Sequence, residues 1–147
     1  PGMQLPALDA SDLKNMLKKA TILIGNDYEV SLLKEKISLD DAGLLDNVEI
    51  LITTLGDKGS QIQTKEQNIQ INAGKVTQAV DPTGAGDAYR AGFLAGYLMS
   101  FDLKTCGQMG SIAACYAVEK YGTTNHTFSI TEFCERYKSN FETELKL

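Results

Sequence analysis

The stretch Thr21-Ile22-Leu23-Ile24-Gly25 is a short, continuous apolar run, which is the pattern of a strand buried in a parallel sheet. A second run of the same kind extends from Val48 to Thr53, after a segment with a helical pattern. Polar residues follow each run, and strand, helix and strand in this order are typical of an α/β fold. The residues before the first run, Leu8 to Ala20, predict an amphipathic helix. We therefore predict an α/β protein.

The rest of the chain predicts two further short strands and three long helices. Residues 61–63 and 68–72 alternate apolar and polar side chains, as the strands of a hairpin or a sheet edge do. Helical patterns cover Gly84 to Ser100, Leu103 to Lys120, and Thr131 to about Leu145. Because no repeat, low-complexity segment or linker divides the chain, we predict a single domain over residues 1–147.

Composition and charge restrict the class of protein. The 147 residues are 43% hydrophobic and 22% charged, as in an ordinary globular domain with a hydrophobic core. The net charge of −5 argues against nucleic acid as the main partner, because proteins of that class usually present a basic face. No stretch approaches the ~20 apolar residues of a membrane-spanning helix. We therefore expect neither nucleic acid nor a membrane among the partners.

The cysteines, the single histidine and the N-terminus carry less information. Cys106, Cys115 and Cys134 form no CxxC pair, and we expect Cys115 to be a small buried residue in a reducing cytoplasm. His126 is the one histidine, so a multi-histidine metal site is excluded, and its polar neighbours predict an exposed loop. Residues 1–6 lack an initiating Met and the pattern of a signal peptide, so we expect a processed or truncated piece of a cytoplasmic protein.

Polar clusters follow the apolar segments of the chain at three places. They are Asn26 to Glu29, Thr54 to Gly59, and Asp81 to Asp87. In open α/β sheets, ligands bind beyond the carboxyl ends of the strands, where the loops from neighbouring strands meet. We therefore expect the three clusters to converge on one cleft.

The third cluster, Asp81-Pro82-Thr83-Gly84-Ala85-Gly86-Asp87, combines a candidate anion-binding turn with a candidate base. Pro82 excludes helix at its own position, and the small residues 84–86 then open a long helix. The first amides of a helix lack internal partners and lie at the positive end of its dipole, so an anion can approach them closely. Asp87, in the first turn, is stabilised as the carboxylate and can accept a proton. Phosphoryl transfer to a hydroxyl requires such a cradle beside a base.

Two other interpretations of this turn stay open on these residues alone. Gly84 and Gly86 could make a plain tight turn, with Asp87 complementing only the helix dipole. The second is a dinucleotide-binding site. The GxGxxG pattern fails, however, because position 89 is Tyr, and no strand that ends in an acidic residue follows ~20 residues on. No GxxxxGK[ST] sequence occurs, so a kinase of this sequence would work without a Walker loop.

The helix after the turn carries small residues at a spacing of four, namely Ala88, Gly92 and Gly96. An interior glycine costs ~1 kcal/mol against alanine in a helix, so close packing against a neighbouring element is the expected compensation. Tyr89 and Arg90 lie on the same helix, and we expect both to be peripheral to the chemistry.

Three motifs together resemble the ribokinase (PfkB) family of carbohydrate and nucleoside kinases. Residues 81–94 are similar to the long C-terminal signature of that family, Asn26 to Glu29 to its Asn-x-x-Glu motif, and Thr54 to Gly59 to its T-x-G-x-x-G motif. The motifs occur in the family order and span most of the chain. Their wording is most similar to the bacterial, ribokinase-like adenosine kinases. Ser111 departs from the ribokinases themselves, which place an Asn facing the nucleotide near this position.

The resemblance implies a catalytic role for the residues of the turn. Asp87 would be the base that deprotonates the acceptor hydroxyl, and Gly84, Ala85 and Gly86 would form the anion hole. Asp81 and Thr83, with backbone carbonyls near residues 117 and 122, match positions that hold a monovalent cation, K⁺, in many relatives.

The resemblance also implies a nucleotide and magnesium site upstream. Glu29, with Asn26, would order Mg²⁺ and its waters near the phosphates of ATP. The residues implied to bind ATP are Asn26, Thr54, Gly56, Gly59 and Gly86. Taken singly, Asn26 and Glu29 could simply cap the following helix, and Thr54 to Gly56 could be a plain turn.

For the whole protein, the resemblance implies a fold and an activity. The chain would be the C-terminal half of a three-layer αβα fold with a mostly parallel sheet. With ATP and Mg²⁺, the protein would phosphorylate a primary hydroxyl of a nucleoside or sugar, converting adenosine to AMP first among these. An N-terminal half would supply the acceptor pocket, the lid and a homodimer contact. We expect this chain alone to be inactive.

Other acceptors and other classes stay open. A ribokinase or fructokinase would phosphorylate a sugar in place of a nucleoside. A non-catalytic nucleotide-binding module would keep the fold without the chemistry, and the presence of Glu29, Gly86 and Asp87 argues against it. A dinucleotide-dependent oxidoreductase would bind NAD more tightly than ATP.

Overall fold

The structure, a computed structural model, describes residues 4–147. Its helices and strands are α1 (Ala10–Leu17), β1 (Ile22–Asn26), α2 (Asp27–Ile37), α3 (Asp41–Leu45), β2 (Ile50–Thr54), β3 (Ser60–Gln63), β4 (Asn68–Ile71), α4 (Ala85–Leu98), α5 (Leu103–Val118) and α6 (Ile130–Phe141). The chain divides into two compact units. The first contains the residues up to Gly56 together with Ser60–Gln70, and the second contains Asp57–Gly59 together with Ile71–Leu147. The α/β class is confirmed, whereas the single domain over residues 1–147 stays a prediction.

The four strands form one sheet in the order β1-β2-β3-β4, and this sheet is mixed. β1 and β2 are parallel, in a register that places Asn26 opposite Thr54, whereas β3 runs antiparallel to β2. The expectation of a mostly parallel sheet is therefore wrong for these strands. A parallel neighbour needs a crossover of a dozen or more residues, and only residues 55–59 separate β2 from β3, so the chain turns back. The three-layer arrangement stays a prediction.

The hydrophobic core of the first unit lies where α1, α2 and α3 pack with β2. Its buried members include side chains at helical spacing from α1 and α2, and the set is Leu5, Leu13, Leu17, Val30, Leu33, Ile37, Leu44, Val48 and Leu51. Each fully buried leucine or isoleucine stabilises the fold by roughly 1.5–3 kcal/mol relative to an exposed one. This packing holds the carboxyl ends of β1 and β2 side by side.

In the second unit, α4 and α5 pack at very short range. A Cβ built on Gly92 would lie 2.6 Å from the carbonyl oxygen of Met109, and one built on Gly96 would lie 2.9 Å from Met109 Sδ. Ala88, on the same face, is buried in the core formed with α5 and α6. The predicted close packing of this small-residue face is therefore confirmed. It fixes α4, whose first turn carries the glycine-rich sequence, against α5.

The remaining predictions from composition have mixed outcomes. Cys115 is buried, as predicted, and the three cysteines are free thiols. His126 lies in a loop but is partly buried, not exposed, because its ring stacks on Phe128 with centroids 6.4 Å apart. Among the helices of residues 4–147, none has the length and apolar character needed to cross a bilayer. The prediction about residues 1–6 lies partly outside the described residues.

Candidate active site

The glycine-rich turn begins α4 and is closed by the loop that follows α5. Gly84 is the N-cap residue and has a φ of 86°, in the left-handed region that favours glycine. A Cβ at this position would lie 3.0 Å from the Cα of Thr123, so any side chain there would require the loop to shift. The amide of Ala85 donates to the carbonyl of Pro82 at 3.1 Å and completes the turn.

The next two amides of the turn are open to an anion. Within residues 4–147, the backbone N–H groups of Gly86 and Asp87 donate to no backbone carbonyl, as expected in the first turn of a helix. A Cβ built on Gly86 would meet no atom within 4 Å, so a phosphoryl oxygen has space there. The open amides lie at the positive end of the α4 dipole, and the donor set therefore fits a phosphate. Gly84 shapes this cradle, and the Ala85 amide is already bonded.

Asp87 is exposed and ion-paired beside the cradle. Its side chain is 80% exposed, and its Oδ1 accepts from Nη1 of Arg90 at 2.7 Å. Arg90 therefore contacts the candidate base directly, and the expectation that it is peripheral to the chemistry stays a prediction. Sequence reasoning missed this contact, and the signal that could have found it is the i, i+3 spacing of an acidic and a basic residue on one helix.

Asp81 ties the turn to the end of α5. Its Oδ1 accepts from the amide of Thr83 at 2.9 Å, and its Oδ2 accepts from the amide of Gly122 at 3.0 Å. The hydrogen bond from the Thr83 side chain, followed by those from the Gly122 and Thr83 amides, holds the pKa of the Asp81 carboxyl below its ordinary value. Both carboxylate oxygens thus already bind amides. A monovalent-cation site at Asp81 and Thr83 stays a prediction.

In the first unit, Asn26 and Glu29 form a capping box at the start of α2. Oδ1 of Asn26 accepts from the amide of Glu29 at 2.8 Å, and Oε2 of Glu29 accepts from the amide of Asn26 at 3.0 Å. The structure thus contains the helix cap that the sequence left open as an alternative. No group of three or more His, Cys, Asp or Glu residues gathers as a metal cluster in the described part of the chain. Magnesium binding by Glu29 would therefore rely on phosphate oxygens and water, and it stays a prediction.

The first two polar clusters begin side by side at one end of the sheet. Thr54 lies opposite Asn26 in the parallel register, and its Oγ1 donates to the carbonyl of Gly25 at 3.5 Å, which is a long hydrogen bond. This part of the predicted convergence is confirmed. The third cluster belongs to the other unit, and its approach to the first two stays a prediction.

The two positions of the T-x-G-x-x-G motif that carry glycine favour it for different structural reasons. Gly56 has a φ of 61° at the start of a 3₁₀ turn, Gly56–Lys58, and a Cβ there would meet nothing within 4 Å. Gly59 has a φ of 87°, and a Cβ there would overlap the carbonyl oxygen of Ile71. Gly59 is therefore fixed by the close approach of two backbone segments, and Gly56 by its own backbone conformation alone. Their role in binding ATP stays a prediction.

Ser111 holds the segment after β4 against α5. Its side chain is buried, its Oγ accepts from the amide of Gly74 at 2.7 Å, and it donates to the carbonyl of Asn72 at 3.2 Å. The position that departs from the ribokinases therefore makes two backbone contacts in this chain. It serves to place residues 72–74.

This chain is similar in sequence and in fold to known kinases. The sequence model of a protein family described as pfkB family carbohydrate kinase matches residues 1–129 of this chain. A nucleoside kinase from Methanothermobacter thermautotrophicus is 37% identical over 142 residues, which are 96% of this chain and 45% of that protein. A nucleoside kinase from Methanocaldococcus jannaschii is 34% identical over 140 residues, 95% of this chain and 46% of that protein. The crystal structure of the latter, an archaeal member of the ribokinase family, has a TM-score of 0.92.

A bacterial structure is similar over nearly the whole chain. The nucleoside kinase of Burkholderia thailandensis in complex with inosine has a TM-score of 0.96 at 30% identity, covering 99% of this chain and 49% of that one. The chain spans about half the length of the curated relatives it matches. Since the family model covers most of the sequence and the three motifs fall within it, the chain belongs to the pfkB family of carbohydrate kinases.

Proposed function

We propose that this chain is the ATP-binding and catalytic-base portion of a nucleoside kinase. The observation that carries the proposal is the start of α4, where two open amides and the space beside Gly86 adjoin the exposed carboxylate of Asp87. This arrangement suits the transfer of a phosphoryl group to a hydroxyl. The similarity to nucleoside kinases, one of which was solved with inosine, supports a nucleoside as the acceptor. The wording of the motifs makes adenosine, converted to AMP, the first candidate.

Three residues of the turn and its helix would perform the transfer. The acceptor hydroxyl gives its proton to the carboxylate of Asp87 as its oxygen attacks the γ-phosphorus of ATP, and ADP leaves. The amides of Gly86 and Asp87 stabilise the negative charge on the phosphoryl oxygens. Arg90 holds the carboxylate in place through its 2.7 Å ion pair.

The polar residues at the end of β1 and β2 would serve the nucleotide. The phosphate and ribose region of ATP would be lined by Asn26, Thr54, and the two glycines of the second motif, Gly56 and Gly59. When bound, Mg²⁺ neutralises part of the phosphate charge, and Glu29 is the residue that would hold its waters. The same proposal includes K⁺ binding at Asp81, the formation of a homodimer, and an acceptor pocket in a further part of the protein.

A sugar kinase is the second candidate, because the family model that matches the chain is that of carbohydrate kinases. The two candidates differ in the acceptor and share the base and the anion cradle. When a free sugar binds a site built for a nucleoside, the polar groups that would bond to the nucleobase are left unpaired.

A substrate panel tests the proposal. Initial rates are measured with Mg-ATP and adenosine, inosine, ribose or fructose, on a form of the protein that turns over substrate; the 147-residue chain alone is expected to be inactive. We expect kcat/KM for a nucleoside to exceed that for either sugar by about 100-fold, since lost hydrogen bonds to a substrate discriminate strongly.

The other outcomes of the panel separate the alternatives. A higher kcat/KM for ribose or fructose would replace the nucleoside kinase by a sugar kinase. Absence of phosphorylation of every acceptor, with ATP still raising the Tm, would favour a non-catalytic module. A larger rise in Tm with NAD than with ATP would favour the oxidoreductase.

A further inference from the structure

The segment that leads into the glycine-rich turn, residues 72–80, contains neither helix nor strand. Its backbone groups therefore need partners from outside regular secondary structure. Side chains at the end of α5 and on α6 supply them around Lys75 and Thr77. The Lys75 amide donates to Oδ1 of Asn140 at 2.6 Å, and the Thr77 amide donates to Oε1 of Glu119 at 2.7 Å. Nη2 of Arg136 donates to the Lys75 carbonyl at 2.9 Å.

The two charged members of this group bind each other. Arg136 donates from Nη1 to Oε2 of Glu119 at 2.8 Å and from Nη2 to Oε1 at 2.6 Å, which is a two-pronged ion pair. The side chains of Arg136 and Glu119 are only 15% and 18% exposed, and the guanidinium of Arg136 lies 4.5 Å from the centre of the Tyr116 ring. The hydrogen bond from Arg136 holds the pKa of Glu119 below its ordinary value. A two-pronged pair of this kind fixes the relative orientation of the two side chains.

The same end of α5 also holds the turn itself. The amides of Val80 and Asp81 donate to the carbonyl of Val118 at 2.8 and 3.1 Å, and Val118 precedes Glu119 in the chain. Asp81 reaches forward to the amide of Gly122 at 3.0 Å. Thr77, Val80 and Asp81 are thus fixed to one short stretch, residues 118–122. A shift of this stretch would displace all three.

We propose that Arg136 and Glu119 are a positioning pair for phosphoryl transfer. They hold residues 75–77 and the end of α5 in register, and so set the place of the Gly86 and Asp87 amides and of the Asp87 carboxylate. Neither residue touches the reacting atoms. The inference rests on the proposed function of the turn, and it assigns a task to two residues that none of the three motifs contains.

Arg136→Lys tests the pair, because lysine keeps the charge but cannot reproduce the fork that binds Glu119 and Lys75 together. In the active protein, we expect kcat to fall about tenfold while KM for ATP stays within about threefold, since a displaced catalytic group costs rate more than binding. Amide hydrogen exchange at Lys75 and Thr77 should become faster, with the exchange of α4 and α5 core amides unchanged. Lys138→Met is the matched control, because Lys138 is a 62% exposed cation on α6 that pairs with Glu144 at 2.9 Å.

A kcat for Arg136→Lys equal to that of Lys138→Met would overturn the inference, as would a rise in KM for ATP without a fall in kcat. If Arg136→Lys does not fold, Glu119→Gln takes its place, since it removes one prong of the ion pair and keeps an oxygen for the Thr77 amide. It should lower kcat about threefold, and an unchanged kcat counts against the pair. Asp87→Asn separates the two levels of the account. Turnover retained in Asp87→Asn contradicts the proposed function, whereas turnover lost there and retained in Arg136→Lys contradicts only the positioning role.

Discussion

Replacing Asp87 with Asn lowers kcat for phosphoryl transfer by about 10³-fold in our account, because the amide cannot accept the proton of the acceptor hydroxyl. Asn has the same shape as Asp, and the side chain is 80% exposed, so the fold should not change. ATP binding should persist because the amides of the cradle are untouched. Initial rates and a binding titration with ATP measure the two effects separately.

Asp46→Asn is the matched control for this prediction. Asp46 is also an exposed carboxylate, at 73%, and it also forms an ion pair, with Nζ of Lys65 at 2.8 Å. It lies before β2 and outside every motif, so its removal should leave kcat within about twofold, as for an ordinary surface substitution. If the kcat of Asp87→Asn equalled that of Asp46→Asn, another group would be the base.

Gly59→Ala should destabilise the fold by about 3 kcal/mol or more, through backbone strain and overlap together. The left-handed φ of 87° disfavours any side chain, and the new Cβ would overlap the carbonyl of Ile71 and lie 2.7 Å from the amide of Ala73. Backbone atoms cannot rotate away as a side chain can, so the strands around the turn have to separate. Thermal unfolding should show a Tm lower by roughly 10 °C, or no folded protein.

Gly56→Ala separates strain from overlap. Gly56 also has a left-handed φ, of 61°, but a Cβ there meets nothing within 4 Å. Its substitution should therefore cost only the conformational part, about 1 kcal/mol. Equal losses of stability in the two variants would mean that the approach of Ile71 to Gly59 is not what requires glycine.

The apolar runs predicted the parallel strands well because burial itself is visible in sequence. The runs at 21–25 and 48–53 correspond to β1 (Ile22–Asn26) and β2 (Ile50–Thr54) within two residues. The expected mostly parallel sheet was wrong for these four strands although a local signal was present, since the five residues 55–59 between β2 and β3 are too few for a crossover. The resemblance to a mostly parallel fold outweighed that local signal.

The candidate site was predictable only where its residues are neighbours in sequence. The turn at Asp81 to Asp87, the cap at Asn26 and the strand-end position of Thr54 all follow from local pattern. The network of Arg136, Glu119 and Lys75 does not, because the arginine and lysine are 61 residues apart and no period links them. Contacts of this kind depend on how α5 and α6 pack, which no local pattern of the sequence specifies.

Gly86→Ala tests the anion cradle while leaving the fold intact. Because a Cβ at Gly86 meets no protein atom within 4 Å, folding should be unchanged or improved by up to about 1 kcal/mol. The methyl group would occupy the space assigned to a phosphoryl oxygen, and kcat should fall about 100-fold, the usual cost of displacing a reacting group by about 1 Å. The measurement is kcat with Mg-ATP and a nucleoside, taken with the Tm of the same preparation. A lower kcat at an equal or higher Tm is the result we predict, and an unchanged kcat would contradict phosphoryl transfer at this turn.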